Sequence, residues 1–286
     1  MGNCQSLKSE TINTVDIKVI GGVQVISIYD YGAFGVMLEA IQRDAIVIQV
    51  PGGVFEVLAT PNRPGVEQIN RIKKSRGISG KYYSTYIGTS KRYLDLLLPH
   101  TLPENLNTEE GLNSFEGSIL RVNMVPPDFN SSVICQGTHQ SFLFGGIYRQ
   151  FFKAAECVFD RLGLYDTELF GGRKVVFPIG SSANVSGDPK GSITDYPRAI
   201  DFCQERGVKL LVTCPDPAPA SPMPIFAFHE SGKDARNEPS QAPIIKKLPP
   251  NLKRLSTRLL AEGYISSQVI SDSMIDQVEE REQALC

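Results

Sequence analysis

Gly180-Ser181-Ser182-Ala183-Asn184-Val185-Ser186-Gly187 follows directly on Lys174-Val175-Val176-Phe177-Pro178-Ile179, and this junction decides how the rest of the chain is read. A short apolar run closed by small polar residues reads as a buried strand, Lys174–Ile179, giving way to a turn. Behind such a strand, backbone N–H groups, Ser hydroxyls and an Asn amide converge on one ligand. Open α/β sheets bind ligands beyond the carboxyl ends of their strands. An ordinary Ser/Asn/Gly turn has the same composition, and the spacing is not the Gly-x-x-x-x-Gly-Lys-Ser/Thr of a P-loop. The motif gains meaning only from its surroundings.

Working outward, strands and helices alternate. Val15–Val19 and Val23–Ile28 show the period-two alternation of strands or an extended arm. Phe34, Met37, Leu38 and Ile41 have helical spacing, and Ala45–Val50 is a buried-strand run ended by Pro51-Gly52-Gly53. Helices are expected at 64–74, 89–98 (stopped by Pro99), 147–162 (ended by Gly163) and 195–206. Strands are expected at 82–87, 117–125, 131–135 and 208–213, with an edge strand near Ile225–Phe228. This alternation specifies an α/β layered fold. Nine of the 19 prolines crowd into residues 215–250, so 231–250 reads as a linker. Beyond it Leu252, Leu255, Leu259 and Leu260 mark a helix face, and Ser271–Cys286 reads as a charged helix. The organisation is an arm over 1–29, a domain over 30–230, and a Pro-rich linker with a helical tail over 231–286.

With 286 residues, 41% hydrophobic and 21% charged, the chain can bury a sizeable core. A formal net charge of −2 means that any polyanion site is local rather than global. Six scattered Cys and three His form no closely spaced metal-ligand pairs, which argues against structural zinc and for a reducing compartment. No apolar run reaches the roughly 18 residues of a membrane span. The N-terminus, Met1-Gly2-Asn3-Cys4-Gln5-Ser6, fits the acyl-acceptor pattern, with Gly2 for myristate and Cys4 for palmitate. Two chains would anchor stably where one anchors weakly. The expected location is cytoplasmic, with peripheral membrane attachment through that terminus.

A second constellation precedes the first in sequence. Residues 71–92 carry seven Lys or Arg (Arg71, Lys73, Lys74, Arg76, Lys81, Lys91, Arg92) and no acid. Clustered cations repel one another unless they face an anion, so the segment is either a phosphate clamp or a solvated basic helix face. Lone His139 falls in an expected loop and reads as structural. Phe142, Phe144, Tyr148, Phe151 and Phe152 read as core rather than a base-stacking platform.

Taken together and in order, the two constellations resemble the YrdC-like, threonylcarbamoyl-AMP synthase family. That family carries Lys-x-Arg with a further Lys, then much later a Ser-Ala-Asn-x-Ser-Gly loop. Lys74-Ser75-Arg76 and Lys81 match the first, and Ser182-Ala183-Asn184-Val185-Ser186-Gly187 matches the second over its whole length. The resemblance covers roughly 200 residues, from about Gly32 to His229. It implies a YrdC-like twisted mixed sheet flanked by helices and synthesis of threonylcarbamoyl-AMP from ATP, L-threonine and bicarbonate for tRNA modification. It further implies that Lys74, Arg76, Lys81, Ser182, Asn184 and Ser186 bind nucleotide, with Lys74 and Arg76 facing the phosphates and Ser182 and Asn184 helping to hold the phosphates and a Mg2+ ion. A basic concave face able to hold double-stranded RNA or tRNA is the alternative, non-catalytic use of the same fold.

The chain departs from the family on one side. Where the family has Pro-Thr-Asp/Glu-Thr and then Tyr-Gly, this chain has Pro51-Gly52-Gly53-Val54 and then Phe55-Glu56. Gly77 and Tyr82 stand where prolines are usual. Gln136-Gly137-Thr138 replaces an Arg-x-Pro element, and Ser221-Pro222-Met223 corresponds to a late Ser-Thr-Val. The nucleotide-facing half is retained and the amino-acid-facing half is changed.

Overall fold

A computed structural model describes residues 15–74, 82–185, 188–215, 223, 225–228 and 250–261. In chain order the elements are β1 (Lys18–Ile20), β2 (Val23–Ser27), α1 (Ala33–Arg43), β3 (Ile46–Gln49), β4 (Phe55–Ala59), α2 (Arg63–Lys73), β5 (Ser84–Ile87) and α3 (Ser90–Leu94). They continue with α4 (Glu109–Asn113), β6 (Ser118–Asn123), β7 (Ile134–Cys135), β8 (Thr138–Leu143), α5 (Gly146–Leu162), β9 (Ile179–Ser182), α6 (Tyr196–Arg206), β10 (Leu210–Thr213), β11 (Ile225–Phe228) and α7 (Pro250–Ala261).

The strands form one mixed α/β sheet in the order β1-β2-β10-β3-β4-β9-β5-β8-β6-β11, with β7 paired to β8. Strands β2, β10 and β3 run parallel, while β4 opposes both β3 and β9. The carboxyl ends of β2, β10, β3 and β9 therefore lie along one edge of the sheet. Loops leaving that edge include Tyr29–Gly32, Val50–Gly53 and Ala183–Val185.

The two faces of the sheet are covered by different helices. Alternation along each strand sends Val47, Val57, Ile179 and Leu211 to one face, where α2 and α6 supply Val66, Ile69, Ile72, Ala199 and Cys203. Ile46, Ile48, Leu58, Tyr86 and Val212 point to the other, under α1 and α5, which supply Met37, Ile41, Phe151, Phe152 and Phe159. Each fully buried aliphatic or Phe side chain contributes about 1.5–3 kcal/mol of transfer free energy. Phe144, Tyr148, Phe151 and Phe152 are core, as expected, with Tyr86 stacked on the partly buried Phe142 at 5.0 Å.

Several boundaries differ from the sequence expectation. The strand expected at Lys174–Ile179 runs instead from Ile179 to Ser182, because Pro178 has no N–H to give a ladder. The first residues of the Ser/Ala/Asn motif are thus strand, not loop. The helix expected to reach Leu98 ends at Leu94. Two strands were not expected at all, β4 and β8. His139 sits within β8, fully buried, its Nδ1 2.7 Å from the Val133 carbonyl and its Nε2 2.9 Å from the Thr85 hydroxyl. Gln136 and Gly137, at φ 47° and 74°, make the tight turn joining β7 to β8.

Residues read as an N-terminal arm supply β1 and β2, with β2 hydrogen-bonded between β1 and β10. Strand β11 is the sheet's edge beside β6. Helix α7 buries Leu252, Leu255 and Leu259 in the core, the face their spacing indicated. Among the described residues no helix is long and apolar enough to cross a membrane.

Candidate functional site

Helix α2 sets one wall of the site. Asn62 caps its start, with Oδ1 accepting from Gly65 N at 3.0 Å. Gly65 is obligatory here, since a Cβ would lie 2.0 Å from the Thr60 carbonyl oxygen. The buried stripe Val66, Ile69, Ile72 continues into Lys73, which is one turn beyond Ile69 and only 4% exposed. The helix ends in Lys74, exposed and left-handed at φ 49°.

Strand β9 and its loop set the facing wall. Lys73 Nζ donates to the Ser182 carbonyl at 2.5 Å, the Asn184 carbonyl at 3.0 Å and Asn184 Oδ1 at 3.0 Å. Three acceptors on one nitrogen require three protons, so Lys73 is an ammonium. Its charge at the end of α2 also complements the helix dipole. The Ser182 hydroxyl donates to the same Asn184 Oδ1 at 2.8 Å, and Asn184 N to the Ser182 carbonyl at 2.9 Å.

Beside this knot lies a buried acid. Register pairs Glu56 of β4 with Ser182 of β9, so their side chains share a face. Tyr86 donates its hydroxyl to Glu56 Oε2 at 3.0 Å. Burial pushes the Glu56 carboxyl up to about 7, opposed by the Tyr86 hydrogen bond and by the Lys73 charge. Gly180 makes this contact available: a Cβ there would sit 2.3 Å from the Val57 carbonyl oxygen and 2.9 Å from the Tyr86 ring.

The neighbouring turn carries no hydroxyl. Val50 N donates to the Val54 carbonyl at 2.9 Å and Gly53 N to the Val50 carbonyl at 3.0 Å, with Gly52 and Gly53 at φ 92° and 75°. Only glycine adopts this pair of conformations without strain.

The predicted site residues divide sharply. Ser182 and Asn184 are brought together, and Lys74 stands at the end of the same helix that supplies Lys73. Arg76, Lys81, Ser186, Gly2 and Cys4 lie outside the described residues. Part of the basic cluster is already paired: Arg71 with Asp44 at 2.9 Å and Arg92 with Asp160 at 2.8 Å. Sequence reasoning missed Lys73, although its position on the Val66/Ile69 stripe signalled burial, and Glu56, whose signal was an acid inside an apolar strand. Among the described residues no group of three or more His, Cys, Asp or Glu could hold a metal ion.

Solved structures similar to this chain include the following three. A double variant of P. abyssi Sua5 matches with a TM-score of 0.47 and 14% identity, over 72% of this chain and 57% of that one. P. abyssi Sua5 complexed with L-threonine matches with a TM-score of 0.48 and 14% identity, over 72% and 52%. E. coli YciO matches with a TM-score of 0.49 and 11% identity, over 73% and 91%. The chain spans little more than half the length of the P. abyssi Sua5 chains it matches. No protein-family model and no curated protein matches the sequence.

Proposed function

We propose that the chain is a divergent YrdC-like protein that binds a nucleotide at the Lys74/Ser182/Asn184 edge of its sheet. One observation supports this reading: Lys73, the sequence neighbour of Lys74, ties the carboxyl end of β9 and its motif loop to the end of α2, at the strand ends where α/β sheets bind ligands. The basic Lys74, with Arg76 and Lys81 following it in sequence, suits phosphate, and the motif resemblance supplies ATP as the nucleotide. Magnesium would travel on the ATP phosphates. The chemistry is formation of an acyl- or carbamoyl-adenylate, with L-threonine and bicarbonate as the co-substrates that the resemblance implies. It requires positioning and charge stabilisation rather than a strong base.

A second reading is favoured by the turn at Val50–Val54, which brings two glycines and a valine where the resemblance calls for threonine hydroxyls. In it the nucleotide is bound without transfer to an amino acid, and the module serves as a nucleotide- or RNA-binding unit.

Calorimetric titration of ATP with magnesium into the wild type and into Lys74→Ala/Arg76→Ala tests the site. Binding by the wild type and a loss of about tenfold or more in the double variant are expected, since each charge-assisted phosphate contact contributes roughly 1.5–3 kcal/mol. Addition of L-threonine then separates the readings: tightened ATP binding supports the synthase, and no effect supports the binding module. Wild type that binds no ATP overturns the synthase and the nucleotide-binding module and leaves RNA binding as the remaining use of the fold.

A further inference from the structure

Asn184 meets its ligand as a donor, and Lys73 is the reason. The carboxamide oxygen of Asn184 is held by two donors, Lys73 Nζ at 3.0 Å and the Ser182 hydroxyl at 2.8 Å. An ammonium has no acceptor, so it fixes which carboxamide atom points inward. Oδ1 is turned into the protein and Nδ2 away from Lys73. Asn184 is only half-buried, and no hydrogen bond from its Nδ2 occurs among the described residues.

The same geometry bears on magnesium. The oxygens that a hard cation would take from this loop are the carbonyls of Ser182 and Asn184 and the Asn184 carboxamide oxygen. All three already surround a cation, the Lys73 ammonium, at 2.5–3.0 Å. A divalent ion bound to them would have to displace Lys73 or share its oxygens at strongly repulsive range. The donor set therefore does not fit a metal held by this loop, and any magnesium stays on the ligand.

We propose that Ser182–Asn184 is a metal-independent oxyanion-recognition element, in which Lys73 occupies the place of a loop-bound cation and Asn184 Nδ2 hydrogen-bonds a ligand phosphate oxygen. Phosphate as the ligand rests on the nucleotide reading above. The roles of the atoms do not: Lys73 is a positioning residue and Asn184 the contacting one.

Asn184→Asp separates this from metal ligation by sign. The substitution keeps an oxygen facing Lys73, removes the Nδ2 protons and puts a negative oxygen in their place. Inorganic tripolyphosphate, titrated calorimetrically in excess EDTA and again in excess magnesium, is the probe. The wild type is expected to bind with affinities within about threefold of each other, and Asn184→Asp to bind about tenfold or more weakly in both buffers, the loss of one charge-assisted hydrogen bond. A wild type that needs magnesium, or an Asp variant that tightens in magnesium, overturns the proposal, because a carboxylate is the better magnesium ligand. An unchanged melting temperature shows that the Asp variant is folded; if it is not, Asn184→Ala carries the test, with the same loss expected. Tripolyphosphate binding with this pattern but no ATP binding leaves the inference standing and removes the nucleotide reading. Wild type that binds neither overturns the inference.

Discussion

Two corners of the molecule are held by a buried titratable side chain, one gathering acceptors and the other gathering donors. Where α2 ends against β9, the Lys73 ammonium gathers two backbone carbonyls and a carboxamide oxygen. Where β5 ends and α3 begins, Glu156 of α5 gathers backbone N–H groups, with Oε1 accepting from Gly88 N at 2.6 Å and Thr89 N at 2.9 Å. The second corner is closed on every side. Glu156 is fully buried, and Arg149 donates to the Gly88 carbonyl, the Ser90 hydroxyl and Asn113. A Cβ on Gly88 would lie 2.3 Å from the backbone nitrogen of Lys153, so strand end and helix are in direct contact. The first corner is closed inward but leaves Asn184 half-buried with donor protons unspent. A buried side chain enclosed on all sides makes a staple, whereas one that leaves an oriented donor at the rim makes a binding site.

Breaking the staple gives the largest expected effect. In Glu156→Ala the buried Gly88 N–H and the part-buried Thr89 N–H lose their acceptor, and each unsatisfied buried donor costs about 1–3 kcal/mol. A loss near 4 kcal/mol is expected in chemical denaturation, with tripolyphosphate affinity of the remaining folded protein unchanged within about twofold. A loss below about 1 kcal/mol would mean that solvent reaches Gly88 and Thr89 and that the corner is not sealed.

The acid beside Lys73 sharpens the comparison through pH. The folded protein holds the Glu56 proton up to about 7, whereas the ordinary carboxyl releases it near 4.5. The folded state therefore binds more protons than the unfolded chain between these values. Its contribution to stability is full below about pH 4.5, declines as pH rises and is lost above about pH 7. The decline amounts to roughly 3 kcal/mol. Glu56→Gln keeps an acceptor for Tyr86 and abolishes the titration. The difference in stability between variant and wild type should grow in the variant's favour from pH 5 to pH 8, read by urea unfolding. Parallel pH curves for the two proteins would show that Glu56 is ionised throughout, its charge matched by Lys73.

Much of this architecture was legible from sequence, and the failures have physical causes. Helices α2 and α5 are legible at 64–74 and 147–162, the second closed by Gly163, which is its left-handed cap. Strand β4 did not, because both of its faces are covered: Phe55–Ala59 is buried throughout and shows no alternation, so a Pro-Gly-Gly turn read as a stop rather than a hairpin. Strand β8 was hidden by polar residues that are satisfied within the sheet, with His139, Thr85 and Ser141 bonded to one another in its interior. At the site, Ser182 and Asn184 could be picked out only through the motif resemblance, since an ordinary Ser/Asn/Gly turn has the same composition. The choice between Lys73 and Lys74 could not be made the same way. Adjacent helical residues point about 100° apart, and only the packing of Val66 and Ile69 decides which ammonium turns inward.

That choice supplies the smallest and most specific break. In Lys73→Met the aliphatic stem is kept and the ammonium removed. The Ser182 carbonyl keeps Asn184 N, and Asn184 Oδ1 keeps the Ser182 hydroxyl. Of these three acceptors the Asn184 carbonyl is the one left without a described partner, so the cost of the lost hydrogen bonds should be about 1–2 kcal/mol, below that of Glu156→Ala. Global stability is therefore a poor readout, and local opening is the better one. Amide hydrogen exchange in Ser182–Asn184 should accelerate about tenfold or more while Gly88 and Thr89 stay protected, because local opening free energy follows local contacts. Tripolyphosphate binding should weaken alongside it, since the Asn184 carboxamide loses the group that orients it. Restoring a cation with Lys73→Arg should recover the slow exchange only if the longer, planar fork can reach the same three oxygens. Exchange that is unchanged in Lys73→Met would mean that β9 holds the loop by itself, and the contrast between the two corners would collapse to one of burial alone.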